Sequence, residues 1–269
     1  MEWFEAVLLG LLQGLTEFLP VSSSGHLEIG KALLGVETSD DLMFTTVVHA
    51  ATVLSTIVVF HKQIWGLLKG FFEFKYNDQT DYLLKIAVSM APIFIVGVFF
   101  KDAVEGLFGS VHVVGFALLA TAVLLFFSDF ASRPGRASIF PANDYRNGIS
   151  YWQALAVGLG QAFAVIPGLS RSGTTISTGL ICGVRRDVMA QFSFLMVLVP
   201  ILGEAFLEVV GGEFSSSTVG ALPLCLGFLS AFLSGLFACK VMIAIVKKAR
   251  LSWFALYCLV VAAAIFIFG

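Results

Sequence analysis

The sequence predicts an all-α integral membrane protein built as an inverted-topology repeat, with six spanning helices and two re-entrant helical hairpins. Three observations carry that prediction. Of 269 residues, 58% are hydrophobic and 13% charged, with 27 phenylalanines and a mean hydropathy of +0.93, a composition foreign to soluble domains of this size. Six windows, about 42–60, 82–100, 111–130, 189–210, 218–239 and 251–268, approach the roughly 20 apolar residues that a spanning helix needs. Two more apolar regions, 3–35 and 151–184, are interrupted near the middle by Pro, Gly and Ser. Their halves are too short to cross a hydrocarbon layer of ~30 Å. Such halves can enter and leave on one side if the turn between them is buried in protein or faces water. The competing arrangement is one kinked span followed by a surface helix.

The remaining composition excludes other classes. A net charge of −2 with no basic stripe gives no reason to expect nucleic acid. The acidic start, Met1-Glu2-Trp3-Phe4-Glu5, lacks the positive region of a secretory leader, so no cleaved segment is expected. Cys182, Cys225, Cys239 and Cys258 are scattered through apolar sequence without metal-type spacing and read as small buried hydrophobes. If both hairpins return to their own side, Lys62, Lys69, Lys75, Lys85, Arg133, Arg136, Arg146, Arg185, Arg186, Lys247, Lys248 and Arg250 share one face. The other face holds little basic beyond Lys101 and Lys31, together with Glu2, Glu5, Glu37, Asp40, Asp41, Asp102, Glu105 and Glu213. The basic face is expected to be cytoplasmic, which puts both termini outside.

Laying the chain over itself at an offset of 148 residues places "GLLQGLTEFLPVSSSG" (10–25) on "GLGQAFAVIPGLSRSG" (158–173) without a gap. Gly10 meets Gly158, Gln13 meets Gln161, Ser22, Ser24 and Gly25 meet Ser170, Ser172 and Gly173, Gly35-Val36 meets Gly183-Val184, and Phe44 meets Phe192. The chain is therefore read as a single polytopic membrane domain, 1–269, made of repeat one, about 1–130, and repeat two, about 150–269. One hairpin plus three spans is an odd number of crossings, so the second repeat inserts upside down. The broken elements of both repeats then meet near the midplane, with Glu17, Ser23 and His26 opposite Ser170, Arg171 and Thr175.

An arginine inside a bilayer costs ~3 kcal/mol or more on insertion scales, so Arg171 is expected to face water or a partner within the protein. The glycines and serines about it, Gly168, Ser170, Ser172, Gly173 and Thr175, bring backbone N–H groups together at a half-helix start, a setting for phosphate oxygens. The guanidinium adds a bidentate grip, and Ser22 and Ser24 supply hydroxyls from the first turn. Gln13 and Glu17 are four apart and share a helical face. Their oxygens suit a hard divalent cation, Mg²⁺ or Ca²⁺, that also touches substrate phosphate; an ion pair of Glu17 with Arg171 is the alternative and is compatible with it. Ser23 and His26 are neighbours on a first helical turn, which leaves Ser23, His26 or an oriented water open as the attacking group.

Together, "QGLTEFLPVSSSGH" (13–26) and "PGLSRSGTT" (167–175) closely resemble the two signature segments of the bacterial undecaprenyl-diphosphate phosphatases, the bacitracin-resistance family, and the likeness extends over essentially the whole chain. The resemblance implies hydrolysis of the lipid carrier's diphosphate to the monophosphate, its recycling for peptidoglycan synthesis, bacitracin resistance, a divalent cation, and a site open to the periplasmic side of the bacterial inner membrane. By position, Glu17 falls on the family's essential glutamate, Ser23 and His26 on its candidate catalytic residues, and Ser170, Arg171 and Thr175 on its phosphate-binding segment. Gln13 is a variant that leaves one carboxylate fewer for metal. His49, on the next span, stands where a neutral polar residue is expected in relatives; a core histidine satisfied by its surroundings is the plainer reading. The expected partners are a polyprenyl diphosphate and the bilayer, with a homo-oligomer left open. A transporter is the rival function, because inverted repeats with broken helices serve many secondary transporters.

Overall fold

The structure, a computed structural model, describes residues 1–36, 41–100, 103–104, 106–107, 111–132, 145–211, 219–248 and 250–268, with the side chains at 41–42, 204–211 and 247–248 excepted. Glu37, Asp40, Lys101, Asp102, Glu105, Arg133, Arg136 and Glu213, assigned above to one face or the other, lie outside the described residues. The described chain is helical, without strands. In order the helices are α1 (Trp3–Phe18), α2 (Ser23–Leu34), α3 (Asp41–Val59), α4 (His61–Phe71), α5 (Asp78–Phe99), α6 (Val111–Ala131), α7 (Tyr151–Phe163), α8 (Arg171–Ile181), α9 (Arg186–Gly211), α10 (Ala221–Lys248) and α11 (Ser252–Phe268).

Four helices, Asp78–Phe99, Val111–Ala131, Arg186–Gly203 and Ala221–Val246, are long and apolar enough to cross a membrane, and Met43–Val59 with His61–Phe71 forms a fifth candidate bent by 75°. The 17-residue α11 is apolar but shorter. The region 61–85, expected as a loop, contains α4. Ile64 and Leu67 of α4 pack against the core, whereas Trp65, Leu68 and Phe72 are exposed beside Lys62 and Lys69. A short amphipathic helix contains no 20-residue apolar window, so a search for spans passes over it.

Both interrupted regions fold back on themselves as helical hairpins. A Cβ on Gly30 of α2 would touch Leu9 and Leu12 of α1, and one on Gly160 of α7 would touch Thr174 and Thr178 of α8. Pro20 and Pro167 lie in the intervening turns, where a ring without an N–H stops helix propagation. The local chemistry repeats at the sequence offset. Ser22 accepts from the Gly25 N–H at 3.2 Å and Ser170 from the Gly173 N–H at 3.1 Å, each capping its second half-helix. Glu5 accepts from the Glu2 N–H at 2.7 Å, and Gln153 accepts from the Ser150 N–H at 2.8 Å, closing the start of each first half-helix. The hairpins end on Gly35, φ +69°, and Gly183, φ +83°. Each is followed by a six-residue backbone bond, Val36 N–H to Lys31 at 3.1 Å and Val184 N–H to Gly179 at 2.9 Å, a left-handed C-cap that glycine accepts without a Cβ clash. Phe44 and Phe192 are both fully buried.

Each first half-helix rides against the backbone of a helix from the other part of the chain. A Cβ on Gly10 would sit 2.4 Å from the carbonyl oxygen of Gly227 in α10, and one on Gly158 would sit 2.2 Å from that of Ser89 in α5. Small residues permit this approach between membrane helices. Gly158→Val is therefore expected to overpack the α5–α7 crossing and cost about 1–3 kcal/mol, read as a lower melting temperature of purified protein in detergent.

Candidate active site

The two hairpin turns meet. Ser172 donates to the Leu19 carbonyl at 3.2 Å, and a Cβ on Gly173 would lie 3.3 Å from Pro20 while one on Gly25 would lie 3.3 Å from Gly168. Around this junction α3 and α9 complete a pocket lined by Glu17, Phe18, Thr52, Val53, Thr56, Arg171, Ser172, Phe194, Val197, Leu198 and Ile201. The lining combines a polar set, Glu17, Thr52, Thr56, Arg171 and Ser172, with an apolar one, Phe18, Val53, Phe194, Val197, Leu198 and Ile201.

Glu17 lines it with 7% of its side chain exposed. Its Oε1 lies 3.5 Å from Nη2 of Arg171, which opens α8. The expectation that the acidic residue of one turn and the arginine of the other face each other is met at ion-pair distance. On the opposite side, Oε2 accepts from Ser23 Oγ at 2.5 Å and from Gln13 Nε2 at 2.8 Å, and Nε2 of His49 approaches it to 3.8 Å. Gln13 sits one helical turn before Glu17 on α1, and Ser23 is the first residue of α2, so the hairpin turn itself folds the hydroxyl back onto the carboxylate.

Ser23 thus bonds Glu17, not the neighbouring His26. His26 Nδ1 lies 2.7 Å from the Ser22 carbonyl; a carbonyl can only accept, so Nδ1 carries the proton and neutral Nε2 is an acceptor. Tyr257 of α11 donates to it at 2.8 Å and stacks on the ring.

The other residues assigned to phosphate take different places. The hydroxyls of Ser22 and Ser170 cap their helices, each 3.4 Å from its companion, Ser24 or Ser172. Ser170 N–H donates to Thr121 at 3.1 Å. Gly168, φ +87°, presses on the backbone of Val114 in α6, and Gly173 packs on Pro20. Thr175 is fully buried, its hydroxyl shared among the carbonyls of Arg171 and Ser172 and the hydroxyl of Ser193. Of that segment, Arg171 and Ser172 reach the pocket, because hydroxyls next to a helix start are first drawn to its unpaired N–H groups.

Sequence reasoning did not single out Thr52, Thr56 or Tyr257. The two threonines belong to a polar stripe on α3, Thr45, His49, Thr52 and Thr56, spaced at helical period within an otherwise apolar window. That periodicity is the signal by which they could have been found. Tyr257 carries no such local mark; tertiary packing alone brings α11 to His26.

A buried carboxylate, a guanidinium and a hydroxyl gathered between two helical hairpins, in a protein with several membrane-length apolar helices, define a multi-helix membrane protein with an internal ionic cluster. The chain belongs to the bacitracin resistance protein BacA family, whose model matches residues 6–264. It is 53% identical over 265 residues to the undecaprenyl-diphosphatase of Bacteroides fragilis (97% of this chain, 96% of the relative). To that of Parabacteroides distasonis it is 55% identical over 262 residues (96% and 95%). A more distant relative of the same name, from Halothermothrix orenii, is 37% identical over 268 residues (99% and 98%).

Proposed function

We propose that this chain is an integral membrane phosphatase that hydrolyses undecaprenyl diphosphate to undecaprenyl phosphate and inorganic phosphate, recycling the lipid carrier for peptidoglycan synthesis and thereby conferring bacitracin resistance. The observation that carries this reading is the contact of Ser23 Oγ with Glu17 at 2.5 Å beside Arg171, where Glu17 and Arg171 line a pocket together with the apolar Phe194, Val197, Leu198 and Ile201. A diphosphate head matches Arg171 and Ser172 beside Glu17. The first units of a prenyl chain match Phe194, Val197, Leu198 and Ile201, between α3 and α9.

In the mechanism this geometry supports, Ser23 Oγ attacks the terminal phosphorus while its proton passes to Glu17. The bond from phosphorus to the bridging oxygen breaks, and the prenyl monophosphate leaves with that electron pair. Water then cleaves the Ser23–phosphate ester, restoring the hydroxyl and releasing inorganic phosphate; the proton on Glu17 returns to solvent. Arg171 holds the transferred group's oxygens through charge that grows in the transition state. The leaving group is already a stable phosphate monoester, so positioning and charge neutralisation carry most of the rate. His26, fixed at both nitrogens by Ser22 and Tyr257, orients the α2 start that bears Ser23.

A divalent cation, Mg²⁺ or Ca²⁺, fits at Glu17 and Gln13. The Oε1 of Gln13 is buried and has no hydrogen-bond partner among the described residues; turning the amide over directs this oxygen to the Glu17 side, with an oxygen from each residue toward one ion. The described residues contain no cluster of three or more His, Cys, Asp or Glu, so the rest of such an ion's shell would have to come from substrate oxygens and water. Bound there, such a cation would neutralise diphosphate charge.

The topological reading has six spans, α3, α5, α6, α9, α10 and α11, and two re-entrant hairpins in inverted repeats of about 1–130 and 150–269. The paired caps and Gly10 and Gly158 contacts support it. Both termini and the site opening are placed on the periplasmic side of the inner membrane. In a Cys225→Ser background, Gly106→Cys is expected to react with an impermeant thiol reagent on intact spheroplasts and Lys75→Cys only after lysis; the opposite pattern reverses the orientation. For function, protein purified in detergent is expected to release inorganic phosphate from undecaprenyl diphosphate and to lose at least about 100-fold of that rate on chelation, recovering with added cation. Uptake of substrate into proteoliposomes without phosphate release would favour a transporter instead.

A further inference from the structure

We infer that α4 lies in the plane of the membrane surface and that its lysines, Lys62 and Lys69, with Lys75 just beyond its end, bind the phosphate groups of anionic lipids. Its two ends fix its depth. α4 begins where α3 stops and is bent from it by 75°, so when α3 crosses the bilayer α4 runs nearly along the surface. Its far end is tied to the start of the next long apolar helix. Asn77, which caps α5, donates to the Gly70 carbonyl at 2.8 Å, and a Cβ on Gly70 would touch Gln79. Both ends of α4 therefore sit at the level where spanning helices terminate and hydrocarbon gives way to headgroups.

At helical period the segment divides into three faces. Phe60, Ile64 and Leu67 pack into the protein core. Trp65, Leu68 and Phe72 form a second face, exposed at 71%, 43% and 65%, a stripe that suits lipid and not water. Lys62, Lys69 and Glu73 make up the third, all exposed. Trp65 stands three residues after Lys62 and four before Lys69, so its indole and both ammonium groups are surface neighbours. An indole flanked by ammonium groups complements a layer that is apolar below and anionic above. Among the described residues no carboxylate pairs with Lys62, Lys69 or Lys75, and three lysines stand against the single Glu73 between His61 and Asn77. The excess positive charge selects an anionic headgroup over a zwitterionic one. A second copy of this chain seated on the same face by two-fold symmetry would set these lysines against each other.

Phosphatidylglycerol is the probe, and Trp65 the reporter. With Trp3→Phe, Trp152→Phe and Trp253→Phe, Trp65 is the sole indole of the chain. This protein is reconstituted into phosphatidylcholine vesicles that carry a minor fraction of brominated lipid, either phosphatidylglycerol or phosphatidylcholine. At low salt, brominated phosphatidylglycerol is expected to quench Trp65 at a mole fraction about 5-fold lower than brominated phosphatidylcholine, the increment of roughly one lysine at an anionic surface. High salt is expected to erase the difference. So is the combination Lys62→Gln, Lys69→Gln and Lys75→Gln, which alters only exposed side chains and is expected to retain wild-type helical content and melting temperature. Equal quenching by the two lipids at low salt overturns the headgroup assignment and leaves the lysines as determinants of orientation alone. Absence of quenching by either lipid overturns it as well, since α4 would then face protein or water. A second readout needs no tryptophan replaced. Spin-labelled phosphatidylglycerol is expected to show a larger motionally restricted fraction than spin-labelled phosphatidylcholine around wild type, and the triple lysine variant a smaller excess; an unchanged excess in that variant overturns the assignment. Neither readout depends on turnover, so failure here and failure of the phosphatase reading are separate results.

Discussion

Glu17→Ala is expected to lower phosphate release from undecaprenyl diphosphate by at least about 10³-fold in detergent, with protein yield and helical content retained. The magnitude follows from how much converges on this side chain. Its two oxygens face Arg171 on one side and Ser23, Gln13 and His49 on the other, so truncation removes the acceptor for the Ser23 proton and the carboxylate for a cation in one step. Loss of a single preorganised electrostatic group costs about 10²–10³ in kcat, and two functions are withdrawn here. Glu17→Gln keeps the shape and removes both functions: the amide still accepts a hydrogen bond from Ser23 but has neither charge nor basicity, so kcat is expected to stay within about 10-fold of the alanine variant. A Glu17→Gln enzyme within about 10-fold of wild type would mean that the carboxylate neither accepts the proton nor binds the cation, and the proposed chemistry would fall.

Much of this site is legible in the sequence because the bilayer makes polar residues conspicuous. Glu17 and Arg171 stand out since an ionised group there is costly unless paired or wetted, and they do form a pair. The interrupted regions are legible for the same reason: Pro, Gly and Ser mark the ends of halves too short to span. What stays hidden falls into two kinds. Hydroxyl allocation is one. Ser22, Ser170 and Thr175 look like phosphate ligands in a string of letters, but helix starts and backbone carbonyls claim them, and this depends on cap geometry that motifs do not encode. Contacts between distant helices are the other. Tyr257 reaches His26 across 231 residues, and no local pattern in α11 announces it.

The offset alignment adds a further point about how the chemistry is divided. Backbone caps recur in both halves, whereas the reactive positions do not: Glu17 aligns with Val165, Ser23 with Arg171, His26 with Thr174 and His49 with Val197. The first half supplies the acid, the hydroxyl and the imidazoles; the second supplies the guanidinium and an apolar wall. On the duplicated-repeat reading, the pocket takes Glu17, Thr52 and Thr56 from one half and Arg171 with Phe194, Val197, Leu198 and Ile201 from the other. Identical halves would give two like-charged clusters facing each other, which neither bind an anion nor admit a tail.

That division makes Arg171 the second position of large effect. Arg171→Ala is expected to reduce kcat by about 10³-fold and Arg171→Lys by about 10–100-fold, since lysine restores charge but not the planar two-point grip on phosphate oxygens. Stability distinguishes chemistry from folding. In the substrate-free protein the guanidinium offsets the buried charge of Glu17, and it keeps 21% of its own surface exposed, so its removal is expected to cost about 2 kcal/mol, below the roughly 3–5 kcal/mol of a fully buried pair. Neutralising the orphaned partner reverses that cost: the double variant Glu17→Gln, Arg171→Ala should recover most of the lost melting temperature while remaining inactive. Loss of turnover in Arg171→Ala well below its melting transition assigns Arg171 to the bound phosphate as well as to the ion pair; the double variant, already inactive through Glu17→Gln, reports stability alone. An Arg171→Ala protein that melts lower yet turns over at the wild-type rate would confine the residue to holding the two hairpins together, and the anion would need another seat.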